Sequence, residues 1–335
     1  MGSSFRESSD IPMKNYRDIS SNNNNIAMGN SRQIFSFAIK RNWILIFLLA
    51  SHQMAFGQVN RLIQQLHKPS DQKVMVAAHR GDWRNAPENS LAAYKLAMQK
   101  GVDIIEVDLK MSSDSVLVIL HDKTLDRSTT GKGKVSALTF EEIKKLKLKD
   151  GLGVPTEETI PSLEEVMLLA KGKVLVNLDH STPFFVEAIN ILNKTGTLKQ
   201  AIFKSDEPYE KLFNRYGPLL SCITFMPVIE TDYGGNQKTI DEYQKKLGAV
   251  AVELVFSKDT TMVFRNHVLI KTKGSKVWVN SLWPDLCGGH NDDLAVLHGN
   301  LEQSWGWLIS HGANIIQTDR PAELLAYLRK RKLHD

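Results

Sequence analysis

From Val74 onward the chain alternates short apolar runs with longer amphipathic runs, and this alternation restricts the fold more than any other feature. Strand-like runs stand at Val74–Ala78, Ile104–Leu109, Val116–Leu120, Val174–Asp179, Ala201–Ser205, Cys222–Pro227, Ala249–Val255, Val277–Ser281 and Asn314–Thr318. Helices are predicted between most of them. The first follows Asn89, with Asn89 or Ser90 as N-cap and Gly101 as its end; the next covers Thr139–Leu148, with Glu142 completing a capping box. A loop over Asp150–Pro161 leads to a helix from Ser162, boxed by Glu165. Further helices are predicted over Pro183–Lys194, Pro208–Tyr216, near Thr239–Leu247, near Thr260–Ile270, from the end of the loop Leu282–Asp293 to Ser310, and over Pro321–Arg331. Strands separated by helices imply a parallel sheet covered on both faces.

The number of units points to one TIM-type (β/α)8 barrel over residues 58–335 rather than two domains. Nine strand candidates compete for eight places, so one of 116–120, 222–227 or 249–255 is not a stave. Only Lys110–Ser115, with a turn at Ser112–Ser115, separates the second candidate from the third, which leaves no room for a crossover helix. The barrel is therefore expected to be irregular near its second and third strands.

Two of the runs end in residues suited to acid–base and anion chemistry. Val74–Ala78 leads into His79-Arg80-Gly81, and Val116–Leu120 into His121-Asp122. Between them Glu106 and Asp108 lie two apart on an apolar run, so both side chains face one way. Carboxylates among Ile104, Ile105, Val107 and Leu109 are costly unless paired or bound to metal. Two histidines, an arginine and paired carboxylates suit metal-assisted phosphoester chemistry.

His79-Arg80-Gly81, Pro87-Glu88-Asn89, Glu106-Val107-Asp108 and His121-Asp122 occur in this order within 44 residues. Together they resemble the signature of the glycerophosphodiester phosphodiesterase family. The resemblance extends to the closing Asn314-Ile-Ile-Gln-Thr-Asp-Arg-Pro. It implies a β/α barrel in which His79 and His121 act as general acid and base. It also implies one divalent cation, Ca²⁺ or Mg²⁺, on Glu106, Asp108 and a third carboxylate, here Asp179, where the family more often has Glu. Arg80 is expected to clamp phosphate, and Glu88 to contact the site or cap the first helix. The family's lysine two residues after the third ligand is replaced by Ser181, preceded by His180, and Lys204 on the next strand is the candidate substitute. Trp283 opens a loop of altered residue order and is expected to wall the substrate pocket. His290, Asp292 and Asp293 read either as a second metal site or, preferably, as helix capping. The implied reaction releases glycerol 3-phosphate and an alcohol from a small-molecule phosphodiester. The alternatives are a relative acting on a phosphoinositol or lysophospholipid, and a barrel that binds phosphodiesters without cleaving them.

The rest of the sequence bounds location and partners. Six of the 42 Lys and Arg and three of the 37 Asp and Glu fall in residues 1–57, which leaves 36 against 34 from Gln58 onward. A near-neutral domain with no basic run before Arg329–Lys332 argues against nucleic acid as a partner. Lys40 and Arg41, the apolar run Trp43–Ala50, and small residues at Ala55 and Gly57 read as a signal peptide, with Met28 as the true start. Export to a periplasm or beyond is expected, with no stable membrane span after cleavage. Cys222 and Cys287 could pair or be separate buried thiols. Oligomeric state is not legible.

Overall fold

Successive side chains of a strand face opposite sides, so a barrel sorts each run into an inner and an outer row. The computed structural model describes residues 57–232, 236–259 and 267–335. Its strands are β1 (Met75–Ala78), β2 (Ile104–Met111), β3 (Leu117–Ile119), β4 (Lys147–Lys149), β5 (Pro155–Thr159), β6 (Leu175–Asp179), β7 (Ala201–Ser205), β8 (Thr224–Glu230), β9 (Ala251–Val255), β10 (Lys276–Asn280) and β11 (Ile315–Thr318). Eight of them pair in the order β1-β2-β6-β7-β8-β9-β10-β11, and β11 returns to β1. Every pairing around that ring is parallel. The closed barrel predicted from the alternation is the observed fold.

The ninth candidate, 116–120, is the run that is not a stave. Its β3 folds back antiparallel on β2, placing Ile119 opposite Leu109 and Leu117 opposite Met111. The turn between them is tight: Ser112 Oγ accepts the Val116 N–H at 2.9 Å, and Ser115 takes a left-handed φ of 63°. A hairpin is what four turn residues allow.

Helix α1 (residues 57–66) precedes the barrel. It is followed by α2 (Leu91–Lys100), α3 (Phe140–Ile143), α4 (Leu163–Ala170), α5 (Phe185–Thr195), α6 (Tyr209–Tyr216), α7 (Asn236–Leu247), α8 (His267–Thr272), α9 (Asp292–Val296), α10 (Trp307–Ser310) and α11 (Pro321–Lys330). Ser90 is the N-cap of α2, accepting the Ala93 N–H, and Gly101 ends the helix in the left-handed region. The capping boxes at Thr139 and Ser162 both form.

Two stretches differ from the sequence reading. The helix expected over Thr139–Leu148 is the single turn α3. Leu146-Lys147-Leu148-Lys149 alternates with period two, and its second half becomes β4, paired with β5 inside the expected loop Asp150–Pro161. Burial of Leu148 with Leu125, Val135, Ile143 and Ile160 favours the strand over continued helix. The helix expected to reach Ser310 breaks instead at Gly299, whose φ is 69°, into α9, a π-helical turn at Glu302–Gly306 and α10.

The rows sort as the period demands. Val76 and Ala78 of β1 join Ile105, Val107, Val176 and Leu178 in the layer beneath the helices. Met75, Ala77, Ile104, Leu175, Ile202, Met226, Ala251, Trp278 and Ile315 fill one end of the barrel. Val59, Leu62 and Leu66 of α1 close that end. Apolar filling there leaves the polar inward residues at the other end, where the strands finish.

The segment read as a signal peptide lies outside the described residues except for Gly57, as do Met28 and the 260–266 part of the helix expected near Thr260–Ile270. Among the described residues no helix is long and apolar enough to cross a membrane. Cys222 is exposed and Cys287 buried, and they do not pair.

Gly81 ends the turn after β1 with φ +81°, and a Cβ there would stand 2.8 Å from the Ala93 carbonyl carbon. Gly81→Ala should destabilise the fold by about 1–3 kcal/mol, measured by denaturant titration; an unchanged midpoint would contradict this close approach. At the closed end His334 Nε2 meets Asp103 Oδ2 at 2.9 Å. Burial lowers the His334 pKa, but the Asp103 hydrogen bond and charge outweigh it and the net shift is upward. A raised imidazole pKa stabilises the fold below the unfolded value and loses that effect as pH rises through the folded one. His334→Ala should therefore depress Tm more at about pH 6 than at about pH 9, and an equal loss at both would count against the pair.

Candidate active site

Strand register brings the acids together. In β2 and β6 Glu106 is level with Asn177, and Asp108 with Asp179. One oxygen from each of Glu106, Asp108 and Asp179 lies within 4.8 Å of the others. Glu106 and Asp108 are buried. Burial, then the Asp108 and Asp179 charges, push the Glu106 pKa well above the carboxylate range. Burial also acts to raise Asp108, but the His180 hydrogen bond and the Arg80 and His121 charges win and hold it low. Asp179 is likewise held low, because the Lys204 ammonium outweighs burial.

These residues fit a hard divalent cation. The donors are all oxygen, and Glu106 Oε1 is buried with no hydrogen-bond partner, in a cluster with the carboxylates of Asp108 and Asp179. A second group, Asp108, His121 and His180, converges on the same side of Asp108 with mixed nitrogen and oxygen donors.

The backbone around the acids is bent to serve them. Arg80, Asn89 and His180 have φ of 53°, 59° and 52°, a left-handed region that side chains with a Cβ enter at a cost. In that conformation the Arg80 N–H donates to Glu106 Oε2 at 2.8 Å. Asn89 Oδ1 accepts from the Tyr94 hydroxyl at 2.7 Å and the Asp108 N–H at 3.4 Å. That turns its Nδ2 onto Asp108 Oδ2 at 2.8 Å. His180 Nδ1 lies 3.0 Å from Asp108 Oδ1, and its ring meets His121 edge to face at 5.3 Å.

Both predicted acid–base histidines are anchored by carboxylates through Nδ1. His79 contacts Asp319 Oδ1 at 2.8 Å, and His121 contacts Asp122 Oδ1 at 2.7 Å. Nε2 is then the nitrogen of each that is left for proton transfer. The Trp83 indole also donates to Asp319, at 2.6 Å. Asp319 is fixed in turn by Asp292, which accepts its N–H at 2.7 Å together with bonds from Ser281, Trp305 and Thr318. Burial raises the Asp292 pKa to about 6.

Asp292 is thus neither a helix cap nor part of a second metal site. Asn291 is the N-cap of α9, and His290 stacks on Trp307. The alternative grouping of His290, Asp292 and Asp293 as a second metal site is not found among the described residues.

The remaining predicted residues lie around the cluster in distinct roles. Arg80 Nε is 3.4 Å from Asp108. Glu88 is at the rim with both oxygens engaged, by Arg127 at 2.7 Å on each and by Arg80 at 3.2 Å. Lys204 is buried between Asp179 at 3.0 Å and Glu253 at 3.3 Å, and those charges overcome burial to raise its pKa. Ser181 points away, its hydroxyl bonded to the Leu178 carbonyl. Trp283 is 42% exposed, meets the His79 ring edge to face at 5.9 Å, and lines a cavity with His79, Arg80, Trp83 and Asp319.

Sequence reasoning gave no role to Asp319, Arg127 or His180, and read Asp292 as a cap or a second-site ligand rather than as the support of Asp319. Only proximity in the fold marks them, although Asp319 stands within the closing motif already noted. A histidine directly after a candidate ligand was the available signal for His180.

Comparison with known proteins places this geometry. A model of the glycerophosphoryl diester phosphodiesterase family matches residues 79–219, and one described as a domain of unknown function matches residues 225–328. A glycerophosphodiester phosphodiesterase of Caldanaerobacter subterraneus is 48% identical over 109 residues, covering 32% of this chain and 45% of that protein. Human glycerophosphodiester phosphodiesterase 1 is 34% identical over 152 residues, 43% of each chain. The chain thus spans less than half the length of these curated relatives. A solved glycerophosphoryl diester phosphodiesterase from Parabacteroides distasonis superposes with a TM-score of 0.66 at 23% identity, over 82% of this chain and 92% of that one. An Oleispira antarctica phosphodiesterase, solved with its product sn-glycerol-3-phosphate, gives 0.56 at 21% identity over 77% and 97%. At these identities the structures speak to the barrel, while residues 79–219 are similar to the glycerophosphoryl diester phosphodiesterase family, whose model they match.

Proposed function

We propose that the protein hydrolyses glycerophosphodiesters to glycerol 3-phosphate and an alcohol, using one divalent cation, Ca²⁺ or Mg²⁺. The observation that carries this reading is the convergence of Glu106, Asp108 and Asp179, with Glu106 Oε1 unpartnered, between two carboxylate-anchored histidines. A cation held there would neutralise the non-bridging phosphate oxygens and make phosphorus open to attack.

The chain's own groups supply the rest. One histidine Nε2 takes the proton of the attacking glycerol hydroxyl while the other gives a proton to the oxygen of the departing alcohol; water then opens the resulting cyclic phosphate with the proton roles reversed, leaving glycerol 3-phosphate. Asp319 and Asp122 hold those imidazoles in orientation. Arg80, kept in place by Glu88, presents its guanidinium beside Asp108, where it can meet a phosphate oxygen. Lys204 takes the part of the missing family lysine by balancing Asp179, and Trp283 walls the cavity on the His79 side. Export through the signal peptide of residues 1–57 completes the reading. A barrel that only binds phosphodiesters would have no use for two histidines so anchored.

The test is alcohol release from glycerophosphocholine, glycerophosphoethanolamine and glycerophosphoinositol with Ca²⁺, Mg²⁺ or EDTA. EDTA should abolish turnover, and His79→Ala should lower kcat by roughly 10²–10⁴ with the fold intact by circular dichroism. Turnover indifferent to EDTA would remove the cation from the account. In the same assay Trp283→Ala should raise KM more than it lowers kcat, as expected for a wall that binds ground and transition states alike. A loss confined to kcat would instead put Trp283 in the chemistry.

A further inference from the structure

Two cavities open at the strand ends, on opposite halves of the barrel mouth. One lies over β10, β11 and β1 and holds His79 and Trp283. The other lies over β6 to β9, reaches Asp179, His180 and Lys204, and measures about 490 Å³. A phosphodiester seated on the three carboxylates would send one ester arm into each.

The second cavity is lined by Lys110, Lys123 and Lys204 against Asp179, Asp206 and Glu253, but their ion pairing is uneven. Its apolar floor comes from Leu109, Pro183, Phe184 and Val228, and its wall includes Lys110 and Lys123. Lys110 continues the inward row of Glu106 and Asp108 along β2. Three other cations around the site have carboxylate partners: Arg80 and Arg127 share Glu88, and Lys204 has Asp179 and Glu253, while Lys149 in the first cavity donates to the Asp126 carbonyl. Among the described residues neither Lys110 nor Lys123 forms an ion pair. The Lys110 ammonium, half-buried, donates only to the Leu109 carbonyl at 3.3 Å. Asp108, Asp179 and Asp122 act on Lys110 without forming a direct ion pair, and Lys123 is exposed, so an arriving anion would give Lys110 its first direct counter-ion. Asp206, exposed on the β7 side of the same cavity, is the lining carboxylate left without a partner.

We infer that this cavity selects phosphodiesters whose arm there bears an additional anionic group, a carboxylate or a second phosphate, with Lys110 and Lys123 as the specificity-determining residues. The inference rests on the phosphodiesterase reading and gives its head-group preference. Both lysines donate charge-assisted hydrogen bonds to the added anion and make no demand on the phosphodiester itself.

Matched substrate pairs isolate that one charge. Glycerophosphoserine differs from glycerophosphoethanolamine by a carboxylate, and glycerophosphoinositol 4-phosphate from glycerophosphoinositol by a phosphate; the effect of Asp206 on the shared ammonium cancels within the first pair. For the full-length protein, kcat/KM should favour the acidic member by roughly tenfold or more, mainly through KM. The ratio should fall toward one in Lys110→Gln/Lys123→Gln and persist in Lys110→Arg. Turnover of both pairs with no acid preference, or a preference retained in the double variant, would overturn the inference while leaving the phosphodiesterase reading in place. Cleavage of none of the four compounds would overturn both.

Discussion

Three carboxylates within 4.8 Å of one another at the end of two paired strands repel strongly, and much of the site is a response to that repulsion. Glu106 is pushed toward its neutral form, while Asp108 and Asp179 stay ionised only because cations surround them. Arg80 and Lys204 supply positive charge, His180 adds a hydrogen bond to Asp108, and Glu253 holds the far side of Lys204. Such an arrangement is a poor way to stabilise a barrel, since buried charge seldom repays its desolvation. It is a good way to keep a cation position ready.

Geometry follows from the same requirement. The left-handed conformations of Arg80, Asn89 and His180 sit directly around the acids and turn an N–H, an amide and an imidazole onto them. Gly81 makes the first of these turns possible by letting α2 approach the end of β1. A second chain of bonds, from Asp292 through Asp319 to His79, fixes the His79 imidazole. The apolar end closed by α1 concentrates all of this at the strand ends, where a barrel exposes its chemistry.

Much of this was legible in the sequence, and the reasons differ by residue. Glu106 and Asp108 stood out because carboxylates at period two inside an apolar run have no cheap structural role. His79 and His121 stood out because a polar motif ended an apolar strand. The hairpin of β3 was foreshadowed by a connection too short for a helix, but deciding among three candidate strands needed the closed ring. Leu146–Lys149 was misread because a capping box upstream drew the eye to helical spacing, while the period-two pattern carried the outcome. Asp292 was misread for another reason: its partners Ser281, Trp305 and Thr318 are distant in sequence, and local spacing suggested a cap or, less readily, a second metal site. His180 and Arg127 act through contacts that closure of the barrel creates.

The central claim is that Glu106, Asp108 and Asp179 together hold one divalent cation. Calorimetric titration of Ca²⁺ and of Mg²⁺ into the EDTA-treated full-length protein, beside Glu106→Gln and Asp179→Asn, tests it without reference to any substrate. The account predicts one ion per chain in the parent protein, and an affinity lowered at least ~10-fold in each variant, since even outer-shell changes commonly cost that much. No binding to the folded parent, or binding undiminished in both variants, would contradict it.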